Sequence, residues 1–319
     1  MSKENILYYS RQETIAPLSS WFGNLLDQCI DQGLYPDQNT LEDTATKLER
    51  ELKNYSKKFN IRNVVIGMSG GVDSALTAAL FKAAKWNVQA YTLPILQNPG
   101  ETERALETAE TLKVPIQTID LTDTYRNLVK DFKQFDDDIH LKTSKIRSAN
   151  LRVRLRMMTL YNMASKLGGL VASTDNFSEL AAGFWTLHGD VGDLAPIQSL
   201  SKSWEVPKTA EIYSVPESTV MAKPTDGLGI SNGDEDQFGF SYLEFDLVLL
   251  SLCHSSQSFS NLTDIIEYLK PDSSDQVKVA AILNRISNSV FKRNNPCNLI
   301  HPLFNERFSG LQQVDKILK

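Results

Sequence analysis

Cysteine and histidine are scarce in this chain of 319 residues, which contains three cysteines and four histidines. No CxxC pair is present and the histidines are scattered, so the spacing of a zinc site is absent. Low cysteine content is typical of proteins in a reducing compartment. The chain also lacks an apolar signal core at residues 1–9 and any aliphatic run long enough to cross a bilayer. We therefore expect a cytoplasmic protein without zinc and without a membrane segment.

An excess of positive charge is absent as well, since the formal net charge is −6. Broad nucleic-acid binding requires a basic surface, so we do not expect a nucleic-acid partner. A nucleotide substrate is compatible with this charge, because Mg²⁺ and a few Lys or Arg side chains can offset its phosphates. With 41% hydrophobic residues, the chain is long enough to bury one large core or two modest ones.

The most informative segment joins an apolar run, Val64–Ile66, to a glycine turn and an Ala/Leu-rich helix start. The turn reads SGGVDS at residues 69–74, without the GK[ST] ending of a Walker A loop. A strand, a glycine turn and a helix N-terminus direct several backbone N–H groups at one point, which predicts an anion site. Asp73 would repel a phosphate there unless Mg²⁺ bridges the two. The simpler alternative is a glycine turn whose Ser or Asp caps the helix.

Strand candidates that each lead toward a helix predict a parallel, doubly wound α/β sheet, with ligands at the carboxyl ends of its strands. The candidates are Asn63–Ile66, Val88–Leu93, Ile116–Ile119 and Leu170–Ala172. The loop Pro94–Gly100, after the second strand, then lies at the ligand edge. Helical periodicity predicts further helices from about Ala16 to Gln32, from Leu41 to Phe59 and from Leu262 to Lys292. We expect N-terminal packing or dimerisation helices at 1–60, a nucleotide domain at 61–245 and a C-terminal helical extension of that domain at 246–319.

Three arginines alternate in a predicted helix at residues 148–166. Arg152 and Arg156 lie four residues apart and share one helix face, whereas Arg154 points elsewhere. This split predicts a separate role for Arg154. The alternative is ordinary surface arginine on an amphipathic helix.

The strand candidate at 170–172 is followed by the polar sequence STDN at residues 173–176. Thr174, at the end of this strand, is placed to contact a nucleotide. Glu179, in the first turn of the next helix, either complements the helix dipole or gives Mg²⁺ a second carboxylate. Farther along, the glycine-rich and acidic residues 223–236 predict a mobile lid.

Taken together, these segments resemble the NAD synthetases, a family of ATP pyrophosphatases. The resemblance extends over nearly the whole chain and is carried by SGGVDS, Asn150–Met157, Ser173–Glu179, Gly183–Thr186, Gly189-Asp190, Lys223-Pro224-Thr225, Asp234-Glu235, Gly239–Tyr242, Arg285–Ser289 and Phe291–Arg293. It implies a Rossmann-like fold of the adenine nucleotide alpha hydrolase type. The implied activity is the Mg²⁺-dependent and ATP-dependent amidation of deamido-NAD with ammonia through an adenylate, giving NAD, AMP and pyrophosphate. The implied enzyme is a homodimer.

The resemblance also assigns roles to individual residues. The implied ATP contacts are Ser69, Gly70, Gly71, Asp73, Ser74, Thr174, Lys202 and Thr225. The implied Mg²⁺ ligands are Asp73 and Glu179. The implied deamido-NAD contacts are Arg154, Asp193 and Lys292, and the implied catalytic residues are Asp73 and Asp190.

Two departures from the family pattern concern deamido-NAD. The family usually has a lysine where this chain has Leu187, and a histidine where it has Phe291. The spacing also differs by one residue in Gly189–Asp193 and between Lys202 and Thr225. The alternatives are therefore an adenylating amidotransferase for another carboxylate or carbonyl substrate, and a non-catalytic nucleotide-binding descendant.

Free ammonia is the expected nitrogen source. Glutamine use requires an amidase domain with a nucleophilic cysteine. The roughly 60 residues before the glycine turn are too few for a domain of usual size. Cys29 lies in the apolar stripe of a predicted helix, where a packing role is expected.

Overall fold

Four short parallel strands lie at the centre of the fold, in the order β3-β2-β1-β4. The computed structural model describes residues 2–136, 139, 144–225 and 233–293. The strands are β1 (Asn63–Gly67), β2 (Asn87–Thr92), β3 (Ile116–Thr118) and β4 (Leu170–Val171). The α/β class and the parallel sheet predicted from the sequence are confirmed, and the strand bounds differ from the predicted ones by one residue at most ends.

The described residues form sixteen helices, which cover both faces of the sheet and extend beyond it. They are α1 (Lys3–Tyr9), α2 (Gln12–Ile15), α3 (Ser20–Asp31), α4 (Gln38–Phe59), α5 (Val72–Ala83), α6 (Pro99–Thr111), α7 (Thr122–Phe132), α8 (Lys145–Leu167), α9 (Phe177–Ala182), α10 (Glu205–Ile212), α11 (Glu217–Val220), α12 (Asp234–Phe238), α13 (Tyr242–Cys253), α14 (Leu262–Leu269), α15 (Gln276–Asn288) and α16 (Val290–Arg293). No helix in the described ranges is both long and apolar enough to cross a membrane.

Strand β1 is buried on both faces, which explains its unbroken run of β-branched residues. Val64 and Ile66 pack in one cluster with α5, whereas Val65 packs in another with α8. All three side chains are 0% exposed. Because side chains alternate along a strand, this run fixes a layer of helices on each face of the sheet.

The strand order creates a crevice at one edge of the sheet. The chain runs from β1 outward to β2 and β3, and then returns to place β4 on the other side of β1. At such a switch point the loops after β1 and β4 diverge, and ligands bind between them in open α/β sheets. The loop after β1 is SGGVDS, and the residues after β4 include Thr174.

Helices α3 and α4 begin at other residues than predicted, because a side chain caps the N-terminus of each helix. Helix α3 begins at Ser20, four residues later than predicted, because the Ser19 side chain accepts a hydrogen bond from the N–H of Phe22 at 3.2 Å. Helix α4 begins at Gln38, three residues earlier than predicted, because Asp37 caps the N–H of Thr40 at 2.9 Å.

The stretch from Leu262 to Lys292 is helical as predicted, but it is divided into separate helices. Three helices, α14, α15 and α16, occupy this stretch. The first ends at Lys270, which has a left-handed backbone with a φ of 49°. Pro271 follows it, and proline cannot continue the helix. The predicted lid at 223–236 lies partly outside the described ranges.

The N-terminal and C-terminal helices share one apolar cluster. Ile6 of α1 and Phe22 of α3 are 0% exposed and belong to the same cluster as residues of α13 and α15. Helices α1 and α3 therefore pack with α13 and α15 in one cluster. The division at residues 60 and 245 remains a prediction.

Replacing Phe22 with alanine tests how strongly the N-terminal helices contribute to stability. We expect the Phe22→Ala variant to lose about 3–5 kcal/mol of unfolding free energy, because the removed ring leaves a cavity in a closed cluster. Phe135, with 75% exposure, provides the matched control, and Phe135→Ala should change stability by less than about 0.5 kcal/mol. Urea unfolding of both variants measures the difference, and equal losses would contradict the shared cluster.

Candidate functional site

The turn between β1 and α5 is shaped by its own side chains. Gly70 has a φ of +87°, which favours glycine. The Ser74 hydroxyl donates to the carbonyl of Gly71 at 3.0 Å and accepts from the N–H of Ser69 at 3.3 Å. The first N–H groups of α5 have no partner within the helix and carry the positive end of its dipole. The turn can therefore bind a phosphate group.

Asp73 forms a largely buried ion pair at this turn. One carboxylate oxygen of Asp73 accepts from the amide of Asn176 at 2.8 Å. The other pairs with the ammonium of Lys202, and the two side chains are only 15% and 8% exposed. The charge of Asp73 is thus offset by a cation brought from 129 residues farther along the chain. Without such a partner, the burial of either charge would be costly.

Glu179 takes part in the cap of α9 and also lines the cavity described below. Its carboxylate accepts from the N–H of Asn176 at 3.1 Å, and its own N–H donates to the Asn176 side chain at 3.0 Å. This reciprocal pair is a capping box. Because the other end of the Asn176 amide holds Asp73, Asn176 links the cap of α9 to the glycine turn.

The backbone around Lys202 is fixed by a buried carboxylate on α13. Asp246 is 0% exposed and accepts from the hydroxyl of Ser178 and, at 2.9 Å, from the N–H of Ser203. The same Ser178 hydroxyl accepts from the N–H of Lys202 at 2.9 Å. Desolvation raises the pKa of Asp246 to about 6. Asp246 therefore positions the ion-paired lysine through its main chain.

A cavity of about 530 Å³ opens at the carboxyl ends of β1 and β4. This volume is in the usual range for a small-molecule site. It is lined by most of the residues that the sequence predicts for the site, namely Ser69, Gly70, Gly71, Asp73, Ser74, Thr174, Glu179, Asp190, Lys202, Thr225 and Lys292.

Two predicted residues, Arg154 and Asp193, are not among those that line this cavity. Both are exposed. Arg154 donates to the carbonyl of Leu187 at 3.2 Å. Asp193 accepts from the Tyr161 hydroxyl at 2.8 Å and from the N–H of Val171 at 2.9 Å. As predicted, Arg154 is separated from Arg156, which lines the cavity.

The far end of the cavity is formed by C-terminal residues. Lys292 donates to the carbonyls of Gly183, at 2.7 Å, and of Trp185. Glycine at 183 leaves room for these residues, since a Cβ there would lie 2.3 Å from the Cβ of Ser289 and 3.3 Å from the Cδ of Lys292. Desolvation lowers the pKa of Lys292. Desolvation raises the pKa of Asp190.

Several cavity residues were not predicted from the sequence. They include Arg11, Gln97, Glu101, Arg104 and Asn150. Gln97 belongs to the loop Pro94–Gly100, which the sheet topology assigned to the ligand edge without naming a residue. Glu101 accepts from the Thr225 hydroxyl at 2.9 Å. Arg104 donates to the carbonyl of Gly70 at 3.3 Å. Helix α6 therefore covers the glycine turn.

Comparison with known proteins agrees with this geometry. The model of the NAD synthase family matches residues 44–296. An NH(3)-dependent NAD(+) synthetase of Mycoplasmopsis pulmonis is 38% identical over 219 residues, which are 68% of this chain and 82% of that protein. The corresponding synthetase of Carboxydothermus hydrogenoformans is 32% identical over 243 residues, or 76% of this chain and 97% of that protein.

Two solved structures resemble the fold over 82% of this chain. The NMN synthetase of Francisella tularensis has a TM-score of 0.66 at 26% identity, with 98% of its chain covered. The NH3-dependent NAD synthetase of Campylobacter jejuni has a TM-score of 0.63 at 27% identity, with 99% covered.

The two glycines of the turn provide a matched pair of tests. A Cβ at Gly70 would lie 2.2 Å from the carbonyl oxygen of Glu101, whereas a Cβ at Gly71 would have Ser69 Oγ as its nearest neighbour at 3.4 Å. We expect Gly70→Ala to lose about 2–5 kcal/mol of stability through this clash and its positive φ. Gly71→Ala should lose less than about 1 kcal/mol. Thermal or urea unfolding distinguishes the two, and equal losses would contradict the close approach of α6.

Asp246→Asn tests the buried network around Lys202. An amide places a donor where Asp246 accepts from Ser178 or from the N–H of Ser203, so we expect a loss of about 1–3 kcal/mol near neutral pH.

The pH dependence of this loss follows from the raised pKa of Asp246. Ionisation of Asp246 opposes folding as the pH rises from about 4 to about 6, at roughly 1.4 kcal/mol for each unit of pKa shift. The stability advantage of the native protein over Asp246→Asn should therefore shrink across this interval. Glu205 also has a pKa raised by burial, but it is present in both proteins. A difference that stays constant from pH 4 to 7, measured by urea unfolding, would contradict the assignment.

Proposed function

The chain belongs to the NAD synthase family, and on this premise we propose that it amidates deamido-NAD with ammonia at the expense of ATP. The observation that carries the proposal is the glycine turn whose Asp73 pairs with Lys202 in one cavity with Glu179 and Thr174. This set combines a glycine turn suited to phosphate, an ammonium group and two carboxylates at the switch point of the sheet.

In the proposed reaction, the carboxylate of deamido-NAD attacks the α-phosphorus of ATP. The new P–O bond forms as the bond to the β-phosphate breaks, and pyrophosphate leaves. Ammonia then attacks the acyl carbon, a C–N bond forms, the C–O bond to AMP breaks and a proton is released. The adenylate step is needed because a free carboxylate is a poor electrophile.

The residues of the turn receive the phosphates in this proposal. Ser69, Gly70, Gly71 and Ser74 offer N–H and hydroxyl donors, and Thr174 and Thr225 contact the nucleotide. Lys202 moves from Asp73 to the departing pyrophosphate, where its charge stabilises the leaving group.

The carboxylates of Asp73 and Glu179 fit a bound Mg²⁺. In the described ranges, no group of three or more His, Cys, Asp or Glu side chains is arranged to hold a metal by itself. Mg²⁺ is usually held by one or two carboxylates together with phosphate oxygens and waters, which is the donor set that Asp73, Glu179 and ATP provide. When bound, the ion supplies charge that offsets the triphosphate.

Deamido-NAD is assigned to Arg154, Asp193 and Lys292, and Asp190 is assigned a catalytic role beside Lys292. Arg154 and Asp193 lie outside the main cavity, and we propose that the dinucleotide extends over this surface in a homodimer. Exposed apolar side chains on the adjoining helix α8 support a subunit contact, since Ile146 and Met158 are each 64% exposed. Large apolar side chains exposed to this degree are a feature of surfaces that bind other proteins.

Nicotinate mononucleotide is a second candidate substrate. One structural relative is an NMN synthetase, and NMN lacks the adenylate half of NAD. Leu187 replaces the lysine that relatives usually direct at the dinucleotide, which favours a smaller substrate at this position. The chemistry at the carboxylate is the same for both.

A direct assay separates the candidates. Purified protein is incubated with ATP, Mg²⁺ and ammonium, and with either deamido-NAD or nicotinate mononucleotide, and pyrophosphate and the amide product are measured. Preference for deamido-NAD supports the first proposal, and preference for the mononucleotide supports the second. Absence of pyrophosphate with either substrate would contradict both. Glutamine in place of ammonium should give background turnover only.

Asp73→Asn and Glu179→Gln test the carboxylates. We expect each variant to release pyrophosphate at least about 100-fold more slowly, because charge stabilisation of the phosphates is lost. Asp123, which is exposed and pairs with Arg126 on α7, supplies the control variant Asp123→Asn, with unchanged activity. Full activity of Glu179→Gln would limit Glu179 to its role as a helix cap.

A further inference from the structure

Arg11 connects the N-terminal helix to the cavity. It lies between α1 and α2 with a left-handed backbone, at a φ of 55°. Its guanidinium donates to the carbonyl of Ala222, which is 211 residues away in the chain. Arg11 also lines the cavity. A left-handed backbone is unfavourable for arginine and is retained only where surrounding contacts enforce it.

The segment that Arg11 holds forms one wall of the cavity. Lys223, Pro224 and Thr225 follow Ala222 directly, and all three line the cavity. At the other end of this segment, the Thr225 hydroxyl donates to Glu101 at 2.9 Å. The position of Thr225 relative to the glycine turn therefore depends on an anchor at each end, Arg11 and Glu101.

Helix α1 is fixed to the helices that lead into this segment. The Tyr8 hydroxyl donates to Glu217 on α11 at 3.0 Å, and Tyr9 donates to Glu211 near the end of α10. On its other side, Ile6 is fully buried with α3 and α13. A side chain carried by α1 is consequently held in a defined place relative to Ala222.

We propose that Arg11 is a positioning residue of the ATP site, which sets the place of Thr225 by holding the carbonyl of Ala222. Arg11 lies before residue 44, where the match to the family model begins, so residues outside that match help to complete the site. The planar guanidinium presents several donors in a fixed geometry, which a lysine cannot reproduce. The inference rests on the proposed use of ATP.

Arg11→Met, Arg11→Lys and Lys3→Met test this role. Lys3 lies on α1 and pairs with Asp27 at 2.7 Å, so Lys3→Met removes an N-terminal charge without touching Ala222. We expect Arg11→Met to raise KM for ATP roughly 3- to 10-fold, in line with the loss of a hydrogen bond from a charged donor. KM for the carboxylate substrate should change less than about twofold. Lys3→Met should leave both constants unchanged, and Arg11→Lys should restore KM for ATP only in part.

Calorimetric titration with ATP separates failure of this inference from failure of the proposed function. If the native protein binds ATP and Arg11→Met binds it equally well, Arg11 has no role in the site. Equal rises in both KM values would also overturn the inference, because they indicate general loosening of the fold. If Arg11→Met does not fold, Arg11→Lys with native stability and native KM for ATP overturns it, whereas native stability with a raised KM supports it. If the native protein binds no ATP, the proposed function fails first.

Discussion

The ion pair between Asp73 and Lys202 is the contact on which the geometry of the site depends. It sits at the N-terminus of α5, where backbone N–H groups already attract negative charge. A lone aspartate there would compete with any phosphate, and a lone lysine with 8% exposure would be poorly solvated. In the ion pair, the negative charge of Asp73 and the positive charge of Lys202 compensate each other. Because the pair joins the turn after β1 to the turn before α10, it also fixes the width of the crevice between them.

Residues from separate parts of the fold hold Asp73 and Lys202 in place. Asn176 holds one oxygen of Asp73 and simultaneously caps α9, and Asp246 on α13 holds the main chain of Lys202 through Ser178. Asp73, Lys202 and Asp246 each have a polar partner in these contacts, as buried charges require. This part of the polar network therefore fixes the relative positions of α9, α13 and the segment that carries Lys202.

The local parts of this arrangement were predictable from the sequence. An unbroken run at Val64–Ile66, a glycine turn and an Ala/Leu-rich helix define β1 and α5 through short-range rules, and the alternation of strands and helices gives the sheet and its ligand edge. The break at Pro271 also had a local signal, which the helical periodicity on either side obscured. The contacts between residues that are distant in the sequence had no such local signal. Nothing near Asp246 in the sequence indicates that its carboxylate will hold Ser178 and Ser203, because that contact exists only after α13 packs on α9.

Long-range contacts cannot be predicted from the local sequence, and Asp193 and Arg11 show two opposite consequences of this. The resemblance assigns Asp193 to deamido-NAD, and in the structure its carboxylate already accepts from the N–H of Val171 at the end of β4. Arg11 belongs to no motif recognised in the sequence, yet the packing of α1 brings it to the cavity wall. In both cases the residue type permits binding to an anion or a donor, and the tertiary contacts decide which group is bound. The described site is therefore a local glycine turn of predictable form, enclosed by long-range contacts from Arg11 and from Lys292.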